Sequence, residues 1–162
     1  MKIEHLEERV NDFKKSIETV IAKKNLWDTT VKKLITKSLN KIVEKYAIGW
    51  HVQEINWMNT NKAVNITFDS YPLELNKKIS QLNSFQFIQG GSLVFSQSYS
   101  GDIFIFILYP LSENTTEDIT NNELGVFSPE KITEKLIVEK VDEFLKRIIE
   151  WEVPSIKNKV GF

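Results

Sequence analysis

The acidic side chains of Glu54 and Asp69 come closest to a catalytic arrangement. They lie in two successive predicted strands, and a hairpin that sets Glu54 opposite Thr67 would bring both carboxylates to one face. Paired carboxylates can hold Mg²⁺ or act as acid and base. A metal-dependent hydrolase or nuclease using Glu54 and Asp69 is therefore one alternative. The more common outcome of such a pattern is two solvated acids.

The other candidate groups do not form a known catalytic pattern. The chain has no Cys, which excludes disulfides, thiolate catalysis and Cys-containing zinc sites. Its two His, His5 and His51, lack the His-x-x-x-His spacing of helical zinc ligands. Gly90-Gly91-Ser92 leads into a predicted strand, whereas a nucleophilic Ser is followed by a helix. We therefore predict a protein without enzymatic activity, catalytic residues, bound metal or cofactor.

The first structural element that the sequence predicts is a helix at the N-terminus. Apolar residues at its start recur at alternating spacings of three and four: Ile3, Leu6, Val10, Phe13, Ile17 and Val20. This heptad pattern predicts an amphipathic helix. Its length is about the minimum for a coiled coil, roughly three heptads. Two alternatives follow: the helix packs on its own domain, which is the more common case, or it forms a dimer seam.

A second helix is predicted from about Trp27, after a break at residues 23–25. Asp28 has the side chain of a helix N-cap, and Gly49 marks the helix end. Two helices joined by such a short connection predict an antiparallel helical hairpin over residues 1–47.

Lysines recur every four residues on the second helix, at positions Lys33, Lys37, Lys41 and Lys45. Evenly spaced cations can bind phosphates or an acidic partner. Lys is also a common residue on solvated helix faces, and we favour that interpretation. Lys33, Lys37 and Lys41 nevertheless remain candidate partner-binding residues, and the acidic segment 111–127 is a candidate to dock on them.

Alternating residues from Trp50 onwards predict a strand, and a four-residue turn then predicts a hairpin with the next strand. The predicted register pairs Ile55 with Ile66. It places Trp50 on the face that carries Glu54, which looks solvated. Trp50 therefore lies either under a helix or exposed as an interface anchor, and we predict it as a partner-binding residue.

The segment from Ile79 to Gly101 contains twenty-three consecutive uncharged residues. Exposed strands usually carry charges that discourage edge-to-edge pairing. A neutral strand region therefore predicts a sheet face or edge that is covered, either by the chain's own helices or by another molecule. Gln97 and Tyr99 lie in this segment, and we predict both as partner-binding residues.

The rest of the chain completes an α+β pattern. Its predicted elements are a short helix near 72–83, a short strand at 85–88, a hairpin of 93–99 with 103–109, an acidic loop at 111–127 and a C-terminal helix at 128–152 that stops before Pro154. We predict one domain over 1–162, with the helical hairpin (1–47), a mainly β region (49–110), an antiparallel sheet of about five strands and a long C-terminal helix packed on the sheet.

These observations favour a non-enzymatic protein-interaction module that is homodimeric and binds a protein partner or itself through the neutral sheet region or the heptad helix. The alternative is a small-molecule-binding domain with a pocket between the sheet and the C-terminal helix, near Phe104 and Phe106. A net charge of −1 argues against nucleic acid and anionic membranes as partners. The charged N-terminal residues lack the apolar core of a signal peptide, so we expect a cytoplasmic protein.

Overall fold

The computed structural model describes residues 2–57, 61–68, 91–109 and 122–159. Its helices and strands follow in this order: α1 (Glu7–Leu26), α2 (Lys32–Lys45), β1 (Trp50–Trp57), β2 (Asn61–Phe68), β3 (Ser92–Gln97), β4 (Ile103–Leu108), β5 (Glu123–Phe127) and α3 (Glu134–Lys159). Short 3-10 turns at Ile3–Leu6 and Pro129–Lys131 precede α1 and α3. The predicted fold class is confirmed, because N-terminal helices, a five-stranded antiparallel sheet and a C-terminal helix are all present.

The connection between α1 and α2 differs from the predicted one. Residues 23–25, where we predicted a break, lie inside α1, and a π-helical turn at Trp27–Val31 joins the two helices. The residues on both sides of this turn have right-handed helical backbone angles, so the backbone stays helical from Glu7 to Lys45. Asp28 lies inside this continuous helix and is therefore not a helix cap; its carboxylate accepts a hydrogen bond from Lys62 Nζ at 2.9 Å.

The π-helical turn has a packing explanation. Four buried residues recur at intervals of four: Trp27, Val31, Ile35 and Leu39. In a straight α-helix each four-residue step rotates the side chain by about 40° relative to the previous one. A π turn is wider, with i→i+5 hydrogen bonds, and it absorbs part of this rotation between Trp27 and Val31. All four side chains can therefore join the same core cluster.

The sheet runs in the order β1-β2-β3-β4-β5, and each strand is antiparallel to its neighbours. β3 is thus the central strand, and β1 and β5 are the edges. The predicted hairpin after β3 is confirmed, since Gln97 pairs with Ile103. The central position also explains why β3 is neutral. It is bonded on both sides and almost all its residues are buried, so a charged side chain there would be costly.

The predicted register of the β1–β2 hairpin is wrong by three residues. Ile55 pairs with Ala63, and Ile66 pairs with Val52. Because side chains alternate along a strand, an odd shift exchanges the two faces. The face of β1 that carries Trp50 therefore points to the core, and the face that carries Ile55 points to the opposite side of the sheet.

The core lies between one face of the sheet and the helices α2 and α3. Its fully buried members come from α2, the sheet and α3: Ile35, Leu39, Val64, Ile66, Leu93, Phe95, Ile105, Ile107, Ile137 and Phe144. Trp50 belongs to the same cluster, and its ring stacks on that of Phe68 with 5.6 Å between centroids. The predicted packing of the C-terminal helix on the sheet is confirmed.

Part of the predicted acidic loop is the fifth strand, because β5 pairs with β4. The few apolar residues around Gly125 lie in a mostly polar segment. The alternation of polar and apolar residues therefore did not predict this strand. The other loop residues at 111–121, the predicted helix near 72–83, the predicted strand at 85–88 and Asp69 lie outside the described residues.

Helix α3 begins later and ends later than predicted. The turn Pro129–Lys131 is 3-10 helical, and the α-helix starts at Glu134. At this start the backbone N–H of Leu136 donates to Thr133 Oγ1 at 3.2 Å, which is the typical bond of an N-cap. The helix continues past Pro154 to Lys159.

Candidate functional site

The heptad residues of the N-terminal helix form an exposed apolar surface. We define the α1 stripe as Ile3, Leu6, Val10, Phe13, Ile17 and Val20. Ile3 is 81%, Leu6 55% and Phe13 64% exposed, while Val20, nearest the sheet, is half-buried. Every residue at 2–19 is exposed, so none of the described residues covers the N-terminal part of the stripe, and they give no support to the alternative that it packs on its own domain.

The charges on α1 divide it into two halves of opposite sign. The N-terminal half, residues 4–12, has four acids against one base: Glu4, Glu7, Glu8 and Asp12 against Arg9. The C-terminal half, residues 14–24, has four bases against one acid: Lys14, Lys15, Lys23 and Lys24 against Glu18. This distribution suits the dipole of the helix itself. It also gives the exposed helix an acidic end and a basic end that can bind complementary charges.

The C-terminal end of α1 is fixed to the turn between β3 and β4. Lys23 Nζ lies 2.8 Å from Asp102 Oδ1, with both side chains largely buried. Lys24 Nζ lies 5.5 Å from the centroid of the Tyr99 ring, within cation–π range. Gly101 has a φ of +90°, and a Cβ there would fall 2.6 Å from the Cβ of Lys23. Only glycine permits this close approach, and together the contacts orient α1 relative to the sheet.

Three of the predicted partner-binding residues lie in or beside the sheet. Trp50 and Gln97 are each 4% exposed, so Trp50 is not an exposed anchor and lies under the helices. Its indole Nε1 donates to the Tyr46 carbonyl at 2.7 Å. Gln97 belongs to the central strand, so it cannot pair with a second molecule at a sheet edge. Tyr99 is 83% exposed and lies at the base of α1.

The lysines of α2 lie on its solvent side, and Lys33, Lys37 and Lys41 are all exposed. Lys41 Nζ lies 3.6 Å from Glu134 Oε1, at the start of α3. This pair is exposed on both sides and contributes little to stability. A partner-binding role for the three lysines stays a prediction.

The register on which the predicted pair of carboxylates rested is not the observed one. Glu54 pairs with Val64 and not with Thr67, and its Oε2 lies 3.2 Å from Lys32 Nζ. Asp69 lies outside the described residues. Within the residues that the structure describes, no group of three or more His, Cys, Asp and Glu side chains is placed to hold a metal ion.

The space between the sheet and α3 is occupied by packed side chains, including Phe95, Ile105 and Phe144, all fully buried. Phe104 and Phe106 were predicted to lie in the core beside a possible pocket. They alternate with Ile103 and Ile105 along β4, so they lie on the sheet face opposite α3. Both are half-buried, and their ring centroids are 5.1 Å apart.

The α1 stripe is therefore the best candidate site: a regular apolar surface, exposed along its length, on a helix that is held at one end. Among the described residues, no helix has the length and apolar content needed to cross a membrane. No protein-family model matches the chain, and neither a curated protein nor a solved structure has significant similarity to it.

Proposed function

We propose that the protein is a non-enzymatic interaction module that forms a homodimer through the α1 stripe. The observation that carries this proposal is a heptad pattern of six apolar side chains, five of which, from Ile3 to Ile17, are exposed. Exposed apolar surfaces of this extent are typical of protein–protein contact sites. A heptad pattern is typical of one helix packing along another.

The stability of α1 supports the same proposal. Most helices in proteins owe their stability mainly to the packing of an apolar face and less to intrinsic helix propensity. Among the residues that the structure describes, none packs on the apolar face of α1 before Val20. A second helix on the stripe would supply this packing. The continuous helical backbone into α2 already orders the base of α1, which lowers the entropy cost of association.

The α1 stripe replaces the neutral sheet region as the proposed contact surface. The neutral strand β3 is hydrogen-bonded to β2 and β4, and its residue Gln97 is buried. A charge-free sequence is what such a central strand needs for its own burial. The neutral strand therefore gives no support to pairing between molecules.

The cytoplasmic location of the protein stays a prediction.

Light scattering on the full chain tests this proposal. At micromolar concentration we expect a mass near twice 18.9 kDa. Phe13→Glu places a charge within the stripe and should weaken the dimer by about a hundredfold or more. Asn11→Glu is the matched control, because it makes the same change in charge at a position rotated by about 200° around the helix. It should leave the mass unchanged.

Two results would overturn the proposal. A parent protein that has the single-chain mass at about 100 µM would exclude dimerisation strong enough to matter. A dimer that persists unchanged in Phe13→Glu would place the contact surface elsewhere in the molecule.

A further inference from the structure

We infer that the second molecule binds with its α1 antiparallel to the first, in a register that sets Val10 against the partner's Phe13. This inference rests on the proposed function, because it assigns the orientation and register of the same dimer. Three observations support it: the charge distribution of α1, the heptad positions of its charged residues, and the contacts at its base.

The two halves of α1 are complementary to each other. Residues 4–12 are net acidic, and residues 14–24 are net basic. In an antiparallel pair each acidic half lies beside the basic half of the other helix. In a parallel pair the halves of like charge lie side by side, which is unfavourable.

The apolar residues fix the register. Ile3, Val10 and Ile17 occupy heptad position a, and Leu6, Phe13 and Val20 occupy position d. Antiparallel helices pack position a against position d of the partner. One register satisfies every position of the stripe: Val10 against the partner's Phe13, Leu6 against the partner's Ile17, and Ile3 against the partner's Val20.

The flanking charges differ between this arrangement and a parallel one. In the antiparallel register Glu7 approaches the partner's Lys14 on both sides of the two-fold axis. In a parallel dimer Arg9 would instead approach the partner's Lys14 twice, and Lys2 would approach the partner's Glu7 twice, so these flanking pairs offset each other. β-Branched residues at position a also suit parallel dimers, but those typically have Leu at position d. Here Phe13 and Val20 take two of the three d positions, so the net charges of the two halves of the helix decide the orientation.

The base of α1 fits the same register. The partner's Ile3 would reach Val20, just before Lys24, which occupies the next a position. Lys24 lies against the exposed ring of Tyr99, so Tyr99 stands where the first turn of the partner's helix arrives. The partner's Lys2 would approach Lys23, and Asp102 already balances the charge of Lys23 at 2.8 Å.

Cross-linking tests the orientation. The chain has no Cys, so each introduced thiol is unique. Leu6→Cys mixed with Ile17→Cys should form a disulfide-linked dimer of the two variants on mild oxidation. Leu6→Cys alone should not cross-link, because its two thiols lie about 16 Å apart along the axis, beyond the reach of a disulfide. Asn11→Cys, on the outer side of the helix, measures cross-linking by random collision.

Charge reversal gives a second, independent test. Lys14→Glu should weaken an antiparallel dimer about tenfold, because two attractive pairs become repulsive. It should strengthen a parallel dimer, in which it would face Arg9. The double variant Glu7→Lys with Lys14→Glu restores opposite charges in the antiparallel dimer and should recover its affinity.

The outcomes separate the two proposals. Efficient cross-linking of Leu6→Cys with itself, or tighter association of Lys14→Glu, would overturn the antiparallel register. If Phe13→Glu still dissociated that dimer, the proposed function would stand. A parent protein that is monomeric would overturn both.

Discussion

Helices α1 and α2 carry apolar stripes on one continuous stretch of helical backbone, yet the two stripes have different surroundings. Leu39 in α2 is fully buried against the sheet and α3, whereas Leu6, in the 3-10 turn that leads into α1, is 55% exposed. The spacing of apolar residues looks equally regular in both helices. The comparison shows that periodicity specifies which side of a helix is apolar, while what covers that side depends on the position of the helix in the fold.

The largest expected effect comes from making the same substitution in each stripe. Measured in the Phe13→Glu background to remove dimerisation, Leu39→Ala should lower the free energy of unfolding by about 2–5 kcal/mol, because it leaves a cavity in the core. Leu6→Ala should change it by no more than about 0.5 kcal/mol, because the side chain is exposed. Urea denaturation followed by circular dichroism measures both. A large loss in Leu6→Ala would mean that the α1 stripe is packed within its own chain.

The elements were predictable wherever local pattern was strong. Heptad spacing identified α1, and the predicted hairpin of 93–99 with 103–109 corresponds to β3 and β4. The break predicted at residues 23–25 was wrong, because polar residues there read as a loop. In the structure the same lysines are the anchors of α1, and their partners lie far away in sequence.

Pairing and burial were harder to predict. A strand with polar and apolar residues on both faces, such as β1, does not specify its register, and the actual shift of three residues moved Trp50 into the core. The contact of Lys23 with Asp102 joins residues 79 positions apart, and one sequence carries no signal for such a pair. The exposure of the α1 stripe likewise depends on how α1 is placed relative to the sheet. The residues of α1 alone do not determine that placement.

An intermediate effect is expected at the base of α1, where Lys23 contacts Asp102. A double-mutant cycle with Lys23→Met and Asp102→Asn should give a coupling free energy of about 0.5–1 kcal/mol, because the pair is largely but not fully buried. The coupling should decrease as salt increases. Chemical denaturation of the four proteins measures it. A coupling near zero would show that the Lys23–Asp102 ion pair does not help to hold α1.

The smallest effect concerns the polar side of α2. Changing Lys33, Lys37 and Lys41 together to Gln should alter the free energy of unfolding by only a few tenths of a kcal/mol for each residue. We also expect the parent to bind duplex DNA no tighter than about 10⁻⁵ M at physiological salt. Fluorescence anisotropy checks this. Nanomolar, salt-sensitive binding that the triple variant loses would make α2 a nucleic-acid surface.

The turn that carries Gly101 also has a mechanical consequence. From Val20 to Ile3 the helix extends roughly 25 Å at about 1.5 Å per residue, and it is supported only near one end among the described residues. A rotation of the helix about the contact between Gly101 and Lys23 therefore produces its largest displacement at Ile3. A tilt of about 10° there would move the far end by about 4 Å, close to one helical turn. The close packing that Gly101 permits thus sets the direction in which the exposed part of α1 points.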